Sequence, residues 1–192
     1  MDRLRLEFSA DAIAVAEFST IPTGLTAADA ATKGAEINLL FTGSIHPGKF
    51  LMALEGGVSE TELALKAALE SGRQTLIDSV HIPFPHPQIR REQNLQIDAP
   101  EPALLILETL TVPSLLRGLD RALKSTDCIL RLKHLADHLG GKSIAVLEGE
   151  LHDIETARLL LQDAISASLL SDLQLIPRAS SHVVTSFLKS LR

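Results

Sequence analysis

Several short stretches of this sequence bear side chains with recognisable chemistry. His134 and His138 stand four positions apart with Asp137 between them, a spacing that would place two imidazoles on one helix face for a metal ion. Gly140-Gly141-Lys142 has part of a phosphate-gripping loop, but it lacks the flanking glycines and the Lys-Ser/Thr helix start that such a loop needs. Ile45-His46-Pro47-Gly48-Lys49-Phe50 carries an isolated histidine beside a turn. Two pairs of carboxylates, Glu60 with Glu62 and Asp153 with Glu155, fall in the first turns of expected helices, where the dipole accounts for them without catalysis. His81, His86, His152 and His182 have no partner in sequence, so surface roles are the default. The single cysteine, Cys128, excludes an intramolecular disulfide and suits a reducing cytoplasm.

What positions these residues is a duplication. Ala12 to Glu17 is echoed by Ala103 to Glu108, and Pro22, Asp29 and Lys33 are answered by Pro113, Asp120 and Lys124, each 91 positions on. The step then grows to 93, with Gly48-Lys49 answered by Gly141-Lys142, and reaches 94 between Pro83 and Pro177. Such a spacing is the mark of duplication with loop insertion, and each copy is too long for a solenoid unit. In the first copy the apolar runs and breakers predict a strand over 12–18, a turn at Pro22-Thr23-Gly24 and a short helix ending near Gly34. Strands over 37–45 and 49–54 follow, then a helix opened by a Ser59-x-x-Glu62 capping box, then a strand over 76–82. Strand, helix, strand, strand, helix, strand is the split βαβ order, and the second copy repeats it. In that register His134 to His138 belong to a strand and the longer of two matching loops, which argues against a helix-borne metal pair. The expected organisation is a first domain over 9–86, a linker over 87–102, a second domain over 103–180 and a C-terminal helix over 181–192.

Composition narrows the function. Of 192 residues, 45% are hydrophobic and 22% charged, an ordinary globular balance. The formal charge of −6 argues against gripping nucleic acid or anionic lipid. No stretch approaches the roughly 20 apolar residues that span a bilayer, and Met1-Asp2-Arg3 begins no secretory signal. Six Phe with no Trp or Tyr leave little for aromatic stacking or hot-spot recognition. Two small domains of this kind are marginal alone and gain from packing together or from assembly.

The ordered set of marks resembles the bacterial microcompartment shell domain, occurring twice. The marks are an apolar strand ending in Glu17, Asp29-x-x-x-Lys33, Pro47-Gly48-Lys49-Phe50 and Ile82-Pro83. The second copy offers Glu108, Asp120-x-x-x-Lys124, Gly140-Gly141-Lys142 and Ile176-Pro177-Arg178. Within that family the chain is similar to the tandem-domain class, nearest the propanediol-utilisation type with its Ile-x-Pro-Gly-Lys-Phe loop. The resemblance implies an α+β chain of two ferredoxin-like domains and a homotrimer that mimics a hexamer. It also implies tiling with other shell proteins, hexamers and pentamers, in a microcompartment of the bacterial cytoplasm, and no enzymatic activity. Small metabolites would pass a pore on the threefold axis.

The implied pore residues are Ser44, Ile45, His46, Pro47 and Gly48 from the first loop, with Asp137, His138, Leu139, Gly140 and Gly141 from the second. Lys33, Lys124 and Arg178 match the family's tile-edge residues, although the first copy has Phe84 where the second has Arg178. Three copies of His46 on the axis could hold a metal ion, the alternative being a pore-lining histidine that supplies polarity and a proton-dependent charge. No iron–sulphur cluster is expected, because His46 stands where one subgroup of the family has cysteine. Two rivals remain open at this point: a small-molecule sensor of duplicated ferredoxin-like domains, and a metal-dependent enzyme using His134, Asp137 and His138.

Overall fold

A computed structural model describes residues 4, 6–91 and 101–190. The first repeat runs β1 (Ala12–Phe18), α1 (Ile21–Gly34), β2 (Asn38–Ile45), β3 (Lys49–Gly56), α2 (Val58–Gly72) and β4 (Leu76–Pro83). The second runs β5 (Ala103–Thr109), α3 (Val112–Leu123), β6 (Ile129–His134), β7 (Ser143–Gly149), α4 (Leu151–Ala164) and β8 (Leu170–Ile176), followed by α5 (Ser181–Ser190). The two four-stranded antiparallel sheets have the same order, β2-β3-β1-β4 and β6-β7-β5-β8. The chain is therefore an α+β tandem of split βαβ units.

β1 is buried along its whole length because both faces of its sheet are covered. Ala14, Ala16 and Phe18 point to α1 and α2, where small alanines on both sides let helix and sheet approach closely. Ile13 and Val15 point the other way, into a larger core shared with α3 and the second repeat. α3 is thus sandwiched between its own sheet and the open face of the first sheet, with Val112, Leu115, Leu116 and Leu119 fully buried. The open face of the second sheet carries Leu104, Leu132, Ile144 and Val146, against which Ala179 and Val184 of the C-terminal segment pack.

Local signals misled in two places. α1 starts at Ile21 and takes Pro22 into its first turn, where a turn was expected. Proline fits there because the amide it lacks has no intrahelical partner at that position. α2 starts at Val58 with Gly57 as its cap residue and no side-chain cap, so the Ser59 capping box does not form. Instead Thr61 Oγ1 donates back to the carbonyls of Gly57 and Val58, at 2.8 and 3.0 Å.

The segments expected outside the domains also pack. Leu4, Leu6 and Phe8 are buried, and the stretch expected as a linker begins with a 3-10 turn at Pro87–Ile89 whose Ile89 is fully buried. Lys133 Nζ donates to the carbonyls of Leu6 (3.2 Å) and Ile89 (2.7 Å), so a nearly buried ammonium on β6 fastens both segments to the second sheet. Gln88 bridges to the same repeat, donating to Cys128 O and accepting from Leu130 N. The remainder of the expected linker, 92–100, and the end of the expected C-terminal helix, 191–192, lie outside the described residues.

Candidate functional site

Two features stand out where the repeats meet. The first is a buried polar network across the joint. Glu17, at the end of β1, is fully buried and accepts from Lys49 Nζ at 2.9 Å and from the Val112 amide at 2.6 Å. The Val112 amide opens α3, so a carboxylate sits at the positive end of that helix. Lys49 Nζ also donates to Leu110 O (2.9 Å) and, at 3.4 Å, to Gly141 O. Asp78 Oδ2 accepts from the hydroxyls of Thr111 and Ser114, each at 2.6 Å, and Asp78 Oδ1 accepts from Arg117 Nη2 at 3.0 Å. Burial pushes the Glu17 carboxyl above its ordinary value, opposed by Lys49 and the Val112 amide.

The second feature is a cluster of loops. The β2–β3 turn, with a cis His46–Pro47 peptide, meets the β6–β7 loop. The rings of His46 and His138 stack with centroids 6.4 Å apart and planes 30° from parallel. Gly141 lies directly under the His46 carbonyl: a Cβ there would be 2.2 Å from its oxygen, and φ is +81°. Ala136, His138 and Gly140 also adopt left-handed backbone, which folds the longer loop back on itself.

The structure sorts the residues named from sequence. His46, Pro47, Gly48, His138 and Gly140 are exposed at the cluster, and Ser44 is exposed just before it. Ile45 turns into the shared core, Leu139 packs partly against the second sheet, and Gly141 is buried. Asp137 Oδ2 accepts from the Leu4 amide, so its carboxylate ties down the start of the chain. His134 is buried at the end of β6, with Nε2 against Asp137 O at 2.6 Å. Residues 134–138 therefore form no helix, and the helix-borne metal pair does not exist. Among the described residues, no three metal-binding side chains gather within one chain.

The expected edge lysines differ in setting. Lys33 is 74% exposed and pairs with Asp29 at 2.6 Å. Lys124 pairs with Asp120 at the same distance, but it is only 39% exposed and also donates to Pro83 O across the joint. Arg178 is exposed. Cys128 is buried beside Gly149, and burial raises its thiol pKa.

Sequence reasoning singled out none of Asp78, Thr111, Ser114 or Arg117. The recurrence of Glu17, Lys49 and Asp78 as Glu108, Lys142 and Asp172 was the signal that could have found the network.

The model of the BMC domain family matches residues 12–85. Over 147 residues the chain is 33% identical to the bacterial microcompartment shell protein PduT of Citrobacter freundii, spanning 76% of this chain and 80% of that protein. The chain belongs to the bacterial microcompartment shell proteins. A crystal structure of a microcompartment protein from Desulfitobacterium hafniense superposes on this shell protein with a TM-score of 0.71 at 27% identity, covering 91% of this chain and 98% of that one. A fused permuted hexameric shell protein from the RMM microcompartment shares the fold, with a TM-score of 0.62 at 15% identity over 86% and 93% of the two chains. The family model reaches only the first repeat, and the second shell domain is recognised by its identical sheet order.

Proposed function

We propose that this shell protein closes into a homotrimer that mimics a hexamer, tiles with other shell proteins and passes small polar metabolites through a central opening. It acts without catalysis, in a microcompartment of the bacterial cytoplasm. The observation that carries the reading is that each end of the chain presents one half of the joint already made inside it. α3 packs on β4, and Val112 and Leu116 share one buried core with Val80 and Ile82, whereas their matches in α1, Ile21 and Leu25, are 44% and 60% exposed. On the second sheet, Gln174 and Ile176 stand where Val80 and Ile82 do, and they too are exposed. Glu108 pairs with Lys142 at 2.8 Å as Glu17 does with Lys49, but without the helix amide that Glu17 accepts. Thr20 and Thr23 match Thr111 and Ser114, and Thr20 is exposed and Thr23 half-buried where their counterparts are fully buried. A head-to-tail joint repeated between chains buries all of these, and three two-domain chains complete six positions around an axis.

In such a ring the His46–His138 loop clusters line the opening, and selection rests on its width and on the groups at its rim. Lys33, Lys124 and Arg178 are assigned to contacts between tiles. Within one chain the His46 and His138 rings lie 6.4 Å apart between centroids. A metal on the axis would need His46 from all three chains, and His46 otherwise supplies polarity at the opening. Metal content of the purified trimer, compared with His46→Ala, decides between the two: metal lost in the variant supports an axial ion, and equal content removes it. The donor set does not suit an iron–sulphur cluster, because the one cysteine is buried in the second repeat. Electron microscopy of the concentrated protein tests the whole reading. Six-lobed tiles or hexagonal sheets support it, and monodisperse monomers overturn it.

A further inference from the structure

The joint inside the chain is balanced in charge, and the joint between chains is not. Inside the chain, Glu17, Asp78, Asp120 and Asp163 face Lys49, Arg117, Arg121 and Lys124, four carboxylates against four cations. Arg117 is the central member: its Nη2 reaches both Asp78 Oδ1 (3.0 Å) and Ser79 O (2.6 Å), and Asp78 is nearly buried. His81, which also lines this groove, is bonded to Thr61.

Carried through the repeat, the same positions in a joint between chains read differently. The carboxylates persist as Glu108, Asp172, Asp29 and Glu70. The lysines persist as Lys142 and Lys33, but Arg117 becomes Thr26, Arg121 becomes Ala30, and His81 becomes Leu175. Arg178, just after Pro177, is an added cation at the rim and still leaves the sum negative. Asp172 is the exposed counterpart of Asp78, and among the described residues its carboxylate accepts from the Leu173 amide and the Gln174 side-chain amide, each at 2.8 Å. Closing the joint would surround it with hydroxyls of Thr20, Thr23 and Thr26 while removing it from water. Burying a carboxylate without a countercharge favours its neutral form.

We propose that the ring contains two chemically different joints, and that each joint between chains closes with uptake of a proton on the Asp172 carboxylate. This inference rests on the three-chain ring proposed above. The trimer is then held more tightly in mildly acid than in mildly alkaline solution. Thr26→Arg restores the missing guanidinium, and Asp172→Asn removes the excess charge. Each makes the trimer tight and insensitive to pH.

Trimer dissociation on dilution of the full chain, followed by native mass spectrometry at about pH 5.5 and about pH 8, tests this. The expected wild-type result is a dissociation constant at least about tenfold larger at the higher pH, because only a carboxyl that stays protonated at the lower pH inside the closed joint gives that ratio. Thr26 lies on the exposed face of α1, and circular dichroism confirms that the variants fold. A wild-type trimer with the same constant at both values overturns the proton-linked joint and leaves the ring standing. Retention of the full pH dependence in Thr26→Arg and Asp172→Asn also overturns it. A wild-type chain that forms no trimer at either pH overturns both the ring and the inference.

Discussion

Glu17 and Glu108 occupy the same place in the two repeats, yet burial gives them opposite titration behaviour. Burial lifts the Glu17 carboxyl above its usual 4.5, so its stabilising share is complete at low pH and is lost as pH rises through the raised value. Glu108 is held below 4.5 by hydrogen bonds from Lys142 and Ser171, so its share is present above that value and is lost as pH falls through the lowered one. Glu17→Gln is therefore expected to gain on wild type in urea-unfolding stability as pH climbs from about 4.5 to 7. A difference that stays constant over that range would contradict the assignment. Gly141 offers a second test. Gly141→Ala places a methyl against the His46 carbonyl and forces a left-handed alanine, at an expected cost of about 2–3 kcal/mol. Gly140→Ala meets open space and carries only the backbone penalty of about 1 kcal/mol. Parallel urea melts compare them, and equal losses would mean that the close approach of the two loops is not a constraint.

At the level of elements, α1 and α3 are the same helix in two environments. Leu116→Asp buries a charge between two sheets and is expected to abolish folding, whereas Leu25→Asp, at the matching place on α1, leaves a folded chain that no longer oligomerises. Circular dichroism and sedimentation read the two outcomes, and a folded trimer from Leu25→Asp would refute the head-to-tail joint. The same pair shows what a one-dimensional pattern reveals. β1 was legible to the residue, because a continuous apolar run bounded by turn signals fits a strand covered on both faces. The start of α1 was not, because Pro22 signals a break and a first helical turn equally well. The capping box at Ser59 failed for a similar reason: its spacing was right, but Gly57 and Thr61 satisfied that helix start another way.

For the whole molecule, the duplication fixed the topology and the place of the two loops, since a repeat of constant step carries long-range information that single windows lack. The segments judged peripheral were the failure. Leu4, Leu6, Phe8 and Ile89 look like flanking residues in sequence, and only their docking against the second sheet makes them core. The joint network was equally hidden, because Asp78 and Arg117 lie 39 positions apart and neither matches a motif.

Lys133 grips both the opening segment and the turn after β4, so the halves cling to each other through far more than the peptide that joins them. Nicking the backbone somewhere in 92–100, or producing 1–91 and 101–192 as separate polypeptides, should therefore yield fragments that find one another and refold together when co-expressed. The covalent connection then contributes mainly local concentration, typically in the millimolar range for two modules joined in one chain. Fragments that elute apart would mean that this grip is too weak to replace covalent continuity.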